Sequence, residues 1–151
     1  MIKRVASLSE MLAFGKRVGE LLQGGEVLVL VGDIGAGKTT FTKGVAQGLG
    51  IHETVQSPTF TISRRYDARD GLELIHYDFY RLSEAGIMRA ELSEALADAR
   101  VITVIEWGQI VEDVLPRDVV TIAIHSPSEE ARTLDITAGG EISQRLLGEL
   151  V

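Results

Sequence analysis

Cysteine is missing from all 151 residues, which excludes a disulfide framework, a thiolate zinc site and a cysteine nucleophile. Asparagine is missing as well, so the N-K-x-D element with which small GTPases read guanine is not there. Positive charge is scarce: 15 Lys and Arg stand against 22 Asp and Glu, a net charge of −7. That balance disfavours a free-standing, sequence-independent nucleic-acid binder, which needs a basic surplus. Long apolar runs are also lacking. The purest, Val27-Leu28-Val29-Leu30-Val31, falls far short of the about 18 residues of a membrane span. Residues 1–11 (MIKRVASLSEM) hold no apolar stretch of the kind secretion requires. With 16 glycines but only three prolines, a flexible linker is not indicated. The expectation is one globular domain over residues 1–151, cytoplasmic, with no membrane and no DNA partner.

Apolar periodicity then orders the chain. Ser7-Leu8-Ser9-Glu10 reads as a capping box, its hydroxyl and carboxylate satisfying each other's backbone donors. Leu8, Met11, Leu12, Val18, Leu21 and Leu22 follow at helical spacing, and Gly24-Gly25 ends the helix. Residues 27–31 form an apolar strand suited to cover on both faces, as in a parallel sheet. A glycine-rich turn and a helix over 38–49 come next. Phe60, Ile62 and Tyr66, then Leu72, Leu74 and Ile75, suggest a hairpin across a polar turn. A helix over 83–99, a buried strand over 101–105, strands over 119–124 and 134–137 and a helix over 141–150 complete the pattern.

Gly32-Asp33-Ile34-Gly35-Ala36-Gly37-Lys38-Thr39 matches G-x-x-x-x-G-K-[ST] in full. It follows an apolar strand and opens a helix, the context the motif requires. Its glycines let backbone N–H groups point inward as an anion nest at a helix N-terminus. Lys38 would reach the β- and γ-phosphates, and the Thr39 hydroxyl would ligate Mg²⁺. Such a site also needs a carboxylate near the metal. Glu106, ending Val101-Ile102-Thr103-Val104-Ile105, and Asp78, ending Leu74-Ile75-His76-Tyr77, compete for that role. One would hold the metal while the other orients water or senses the γ-phosphate, and spacing leaves open which does which. Thr59, in Ser57-Pro58-Thr59-Phe60, reads as a switch residue ordered by bound nucleotide. Taken alone, Trp107 reads as a core or edge aromatic. His52, His76 and His125 have no metal-like spacing and read as ordinary structural histidines. No D-x-x-G follows the loop and no H-R-D or D-F-G occurs, so ATP is favoured over GTP and a protein kinase is excluded.

Taken together, the loop Gly32-Asp33-Ile34-Gly35-Ala36-Gly37-Lys38-Thr39-Thr40, Ser57-Pro58-Thr59-Phe60, His76-Tyr77-Asp78-Phe79-Tyr80-Arg81 and Glu106-Trp107 resemble the TsaE (YjeE) family. These are P-loop ATPases of bacterial tRNA threonylcarbamoyladenosine (t6A) biosynthesis. The resemblance implies an α/β fold: a P-loop NTPase-like domain whose mixed sheet has parallel Walker strands flanked by helices, plus antiparallel β-hairpins. It implies ATP and Mg²⁺ as cofactors, slow hydrolysis, and the TsaD–TsaB heterodimer as partner, with tRNA reached through that complex. It puts the phosphates on Gly35, Ala36, Gly37, Lys38, Thr39 and Thr40 and the metal on Thr39 and Glu106. Lys38, Asp78, Glu106, Thr59 and Trp107 fall at its catalytic and switch positions, and Arg132 at a nucleotide-side arginine of some relatives. Two other readings remain open: a small-molecule kinase, and a nucleotide-dependent binding module. A tRNA contact through Arg64, Arg65 and Arg69 competes with a solvated hairpin tip.

Overall fold

The computed structural model describes residues 1–58, 61–84, 86 and 88–151. In chain order the elements are β1 (Ile2–Val5), α1 (Leu8–Leu21), β2 (Val27–Val31), α2 (Lys38–Gly48), β3 (Ser63–Asp67) and β4 (Glu73–Asp78). Then come α3 (Met88–Ala97), β5 (Val101–Glu106), β6 (Val120–His125), β7 (Arg132–Ala138) and α4 (Glu141–Leu150). Short 3-10 turns lie at Arg69–Gly71 and Gly108–Val111.

All the strands join one mixed α/β sheet in the order β1-β7-β6-β2-β5-β4-β3. The middle four, β6, β2, β5 and β4, run parallel, while β3, β7 and β1 add on antiparallel at the two sides. Register fixes what matters for a site. Leu30 stands beside Glu106, and Glu106 beside Asp78, so the carboxyl ends of β2, β5 and β4 are level. The chain leaves β2 toward β4 on one side and β5 toward β6 on the other, so a topological switch point, where open α/β sheets bind ligands, lies at their carboxyl ends.

One face of the sheet packs Leu28, Leu30, Val104 and Ile122 with Met11, Phe14, Phe41 and Val45 from α1 and α2. The other face packs Ile75, Tyr77 and Ile105 with Leu92 from α3. Helices α1 and α2 approach through glycines. A Cβ at Gly15 would stand 2.4 Å from the Phe41 carbonyl oxygen, and one at Gly48 2.1 Å from that of Lys16. Backbone-to-backbone contact of this kind clamps the helix of the glycine-rich loop directly onto its neighbour.

Several expectations were met with shifts of a residue or two at the ends, and some were not. The α1 cap forms with Ser7 Oγ accepting from Glu10 N, but Glu10 Oε2 takes the N–H of Ala6 rather than that of Ser7. Helix α3 begins at Met88, not at residue 83, because Gly86 lies in the left-handed region at φ +52°, which interrupts a helix. Strand β1 escaped the pattern: it is four residues long with three exposed, and it exists through pairing with β7. Phe60, expected in the hairpin, lies outside the described residues. The hairpin arginines are largely committed. Arg65 pairs with Glu73 at 2.6 Å, and Arg69 donates to the carbonyls of Gly19, Glu20, Leu22 and Gly48 at the helix ends.

Helix α4 is capped from outside itself. Gly140 at its N-cap has no side chain, and the Asp118 carboxylate instead accepts from the N–H groups of Ile142 and Ser143 and from the Ser143 hydroxyl. Burial pushes the Asp118 carboxyl up, but the Ser143 and Ile142 bonds outweigh it and hold it below the ordinary 3.8.

Two outcomes test this packing. Asp118→Ala should cost about 1–2 kcal/mol, as lost helix caps do. Because the folded value is depressed, the wild-type advantage is complete above pH 3.8 and disappears as pH falls through the folded value. Urea titrations of both proteins at neutral and acid pH read this, and an advantage that persists at low pH contradicts it. Gly48→Ala should destabilise by about 1–3 kcal/mol despite alanine's better helix propensity, since the new methyl meets a carbonyl. A urea midpoint at or above wild type would refute the close approach.

Candidate functional site

The turn between β2 and α2 depends on glycine at two points. Gly35 at φ +83° and Gly37 at φ +108° both adopt the left-handed region, and Gly37 is the N-cap of α2. The backbone reverses there so that the first N–H groups of α2, without helical partners, face outward past the sheet end. Between Gly35 and Gly37, the N–H of Ala36 bonds Asp33 O at 3.0 Å, and its carbonyl accepts from Arg132 Nε at 2.9 Å.

A cavity of about 430 Å³ opens in front of this turn. Gly35, Gly37, Lys38, Thr39 and Thr40 line it from the loop and α2, and Asp78, Glu106 and Trp107 from the ends of β4 and β5. Of the residues singled out in the sequence, Ala36 turns its methyl into the core rather than the cavity. Thr59 lies outside the described residues, while its neighbour Ser57 does line the cavity.

Lys38 is the electrostatic centre. Its side chain is only 7% exposed, its ammonium donates to Gly32 O at 2.8 Å, and Glu106 Oε1 is 3.9 Å away. Burial lowers its pKa from 10.5, opposed by the carboxylates of Glu106, Asp78 and Asp33. The ammonium also stands 4.2 Å from the centre of the Trp107 ring, a cation–π contact in a half-dry setting. Trp107 reaches that position because it turns sharply at the end of β5, at φ +57°, and Tyr80 backs its ring at 4.9 Å. So Trp107, read from the sequence as a core or edge aromatic when taken alone, covers the lysine of the loop.

The two acids differ in setting. Asp78 accepts the N–H of Tyr80 at 3.0 Å, closing the turn after β4. Glu106 is held by His76, whose Nε2 lies 2.6 Å from Glu106 Oε2 with both groups buried. His76 was missed as a site residue, though a signal existed: it lies two residues before Asp78, hence on the same strand face. Arg132 is at the cavity edge, but its Nε and Nη1 are engaged with the carbonyls of Ala36, Ser128, Glu129 and Ala131.

The residues present fit a hard divalent cation. Thr39, Asp78 and Glu106 bring oxygen donors to one cavity beside an anion nest, the mix with which Mg²⁺ is held together with phosphate oxygens and water. Among the described residues no group of three or more His, Cys, Asp or Glu forms a cage, so phosphate would have to complete the coordination.

A family model, "Threonylcarbamoyl adenosine biosynthesis protein TsaE", matches residues 5–134. The chain belongs to the TsaE family. It is 38% identical over 153 residues to the tRNA threonylcarbamoyladenosine biosynthesis protein TsaE of Bacillus subtilis, covering 97% of this chain and 91% of that one. The Streptomyces coelicolor protein of the same name is 38% identical over 84% of this chain and 89% of its own. The crystal structure of YdiB from Bacillus subtilis superposes with a TM-score of 0.80 at 35% identity, covering 99% and 93% of the two chains. Family membership ties the chain to t6A biosynthesis and the structural match to the same α/β architecture. Among the described residues no helix is long and apolar enough to cross a membrane.

Proposed function

We propose that this chain binds and hydrolyses ATP with Mg²⁺, and that the cycle supports a TsaD–TsaB complex in threonylcarbamoylation of adenosine 37 of tRNA, in the cytoplasm. The observation carrying this reading is convergence: an anion nest, a lysine, a helix-start threonine and two carboxylates meet in one cavity at the switch point of the sheet. Each component is of little weight alone, and a P-loop NTPase needs them together.

In this reading the N–H groups of residues 35–40 cradle the phosphates and Lys38 swings from Gly32 O onto the β- and γ-oxygens. The Thr39 hydroxyl and Glu106 would hold Mg²⁺, which when bound offsets the charge of the β- and γ-phosphates. Asp78, at the end of the adjacent strand, is left to orient the attacking water or to register the γ-phosphate. Thr59, outside the described residues, keeps the γ-phosphate switch role expected of it from the sequence. Trp107 gives up its contact with the Lys38 ammonium as the lysine moves, which couples nucleotide occupancy to the surface formed by Trp107 and Tyr80. A partner accelerating this chain has an evident physical route, because an arginine or water-positioning group supplied in trans is worth about 10³–10⁵ in rate.

Phosphate release should be slow for the chain alone and should rise on adding purified TsaD–TsaB, with Lys38→Ala as the blank. Turnover and ATP affinity that the heterodimer leaves unchanged would overturn the partner-coupled reading and direct attention to phosphoryl acceptors. Lys38→Ala should weaken ATP binding by about 10–100-fold, the worth of a charged hydrogen bond to phosphate. Trp107→Ala should change that affinity by less than about threefold while lowering partner-stimulated turnover, since its ring meets Lys38 only before the lysine moves. Calorimetric ATP titrations of the variants decide, and equal affinity of Lys38→Ala and wild type would remove the lysine from the site.

A further inference from the structure

We propose that His76 is a positioning residue that sets the orientation of the Glu106 carboxylate, keeping one oxygen turned toward the cavity for a divalent cation. The inference rests on the nucleotide-and-metal reading above and extends it to a residue that does not itself face the nucleotide.

The argument begins with register. In the parallel pair β4–β5, Asp78 stands beside Glu106 and His76 beside Val104. Leu74, His76 and Asp78 therefore share one face of β4, and the ring of His76 lies beneath the carboxylate of Glu106, toward the sheet interior. Nε2 is 2.6 Å from Glu106 Oε2, and His76 has no solvent exposure. A carboxylate only accepts hydrogen bonds, so the proton of this contact sits on Nε2. The other ring nitrogen, Nδ1, is buried with no partner among the described residues. A ring whose single buried bond is directed at a site carboxylate is poorly accounted for as core filling, because an apolar side chain would fill the same space without an orphan nitrogen.

The consequence lies on the other oxygen. With Oε2 fixed on His76, Oε1 is left facing the cavity, 3.9 Å from Lys38 Nζ. Without the imidazole, no other hydrogen bond among the described residues holds Glu106 back from closing onto the buried ammonium in a direct two-oxygen pair. That collapse would occupy both the metal-facing oxygen and the lysine that phosphates require. Hydrogen bonding behind a metal-ligating carboxylate commonly governs metal affinity by about 10–100-fold, and His76 supplies it here.

Two variants separate positioning from packing. His76→Phe keeps the ring volume and loses the donor, whereas His76→Gln loses ring packing and keeps an N–H at a similar reach. ADP affinity is measured by calorimetry with Mg²⁺ and again with EDTA, and the ratio of the two reports metal coupling. Phe should lower that ratio about tenfold or more, with the EDTA affinity falling by the smaller factor that competition of Glu106 for Lys38 sets, and Gln should restore both to within about threefold of wild type. A packing role predicts the reverse order, with Gln the worse variant, and that order, or an unchanged ratio in Phe, overturns the proposal. A wild-type chain whose ADP affinity ignores Mg²⁺ would overturn the metal reading and this inference with it. A wild-type effect that survives in Phe sinks the inference alone. Should Phe fail to fold, ¹⁵N-histidine spectra of the wild type decide: a proton on Nε2 supports the assignment, and a ring protonated only on Nδ1 refutes it.

Discussion

Burying a lysine ammonium beside a carboxylate at the end of a sheet is costly unless every charged atom finds a partner. Much of this architecture can be understood as meeting that demand. Lys38 has Gly32 O, Glu106 and the face of Trp107; Glu106 has Lys38 and His76. The partners come from the loop after β2, from β4 and from the end of β5, so the site is assembled only when β2, β4 and β5 lie in parallel register with α2 seated behind them. Removing Lys38 or Glu106 leaves the other charge without its ion-pair partner in a place with little water. The charges of the site are also, for that reason, conditions on the fold.

Parallel pairing supplies the geometry more economically than loops would. Asp78 and Glu106 are the last residues of their strands and lie side by side, with the turn after β2 level with both. Their separation is set by the spacing of neighbouring strands rather than by flexible connections. The loop itself is held from three sides: by Gly32 under the Lys38 ammonium, by Arg132 on the Ala36 carbonyl, and by α2, which glycines press against α1. A rigid cradle needs no reorganisation when an anion arrives. In the proposed function only the lysine moves, exchanging Gly32 O and the Trp107 face for phosphate oxygens.

The elements with strong periodicity were legible in the sequence: the apolar run of β2 and the helical spacing of α1; the hairpin was placed, but Ile62 lies ahead of β3 at φ +70° and Leu72 ahead of β4. The site was legible too wherever a motif imposes its own backbone, as Gly35 and Gly37 do. The rest was hidden because tertiary structure creates it. Strand β1 has one buried residue and depends on β7 for its partner. The start of α3 is displaced by a single left-handed glycine. Arg69 looks in sequence like a surface charge beside Asp70, yet its guanidinium gathers carbonyls from the ends of two helices. His76 had no second histidine at metal-like spacing, and its partner lies 30 residues away on the next strand. One-dimensional spacing finds residues that share a ligand through a loop, and it misses those that act across a strand pair.

The same distinction explains why Trp107 was ambiguous. A lone tryptophan after a strand has many uses, and only the left-handed turn at that residue aims its ring back over Lys38. A bulky residue at positive φ is strained, and such strain persists where surrounding contacts maintain it. Here the Lys38 ammonium and the Tyr80 ring provide those contacts. Both are conditional, because in the proposed function the lysine is also the group that phosphates attract, and Tyr80 is half exposed at the cavity rim. When the ammonium turns to an anion, the tryptophan loses the partner that sits against its face. In the proposed function, an event at the phosphates would thereby reach an aromatic pair at the surface over a single side chain.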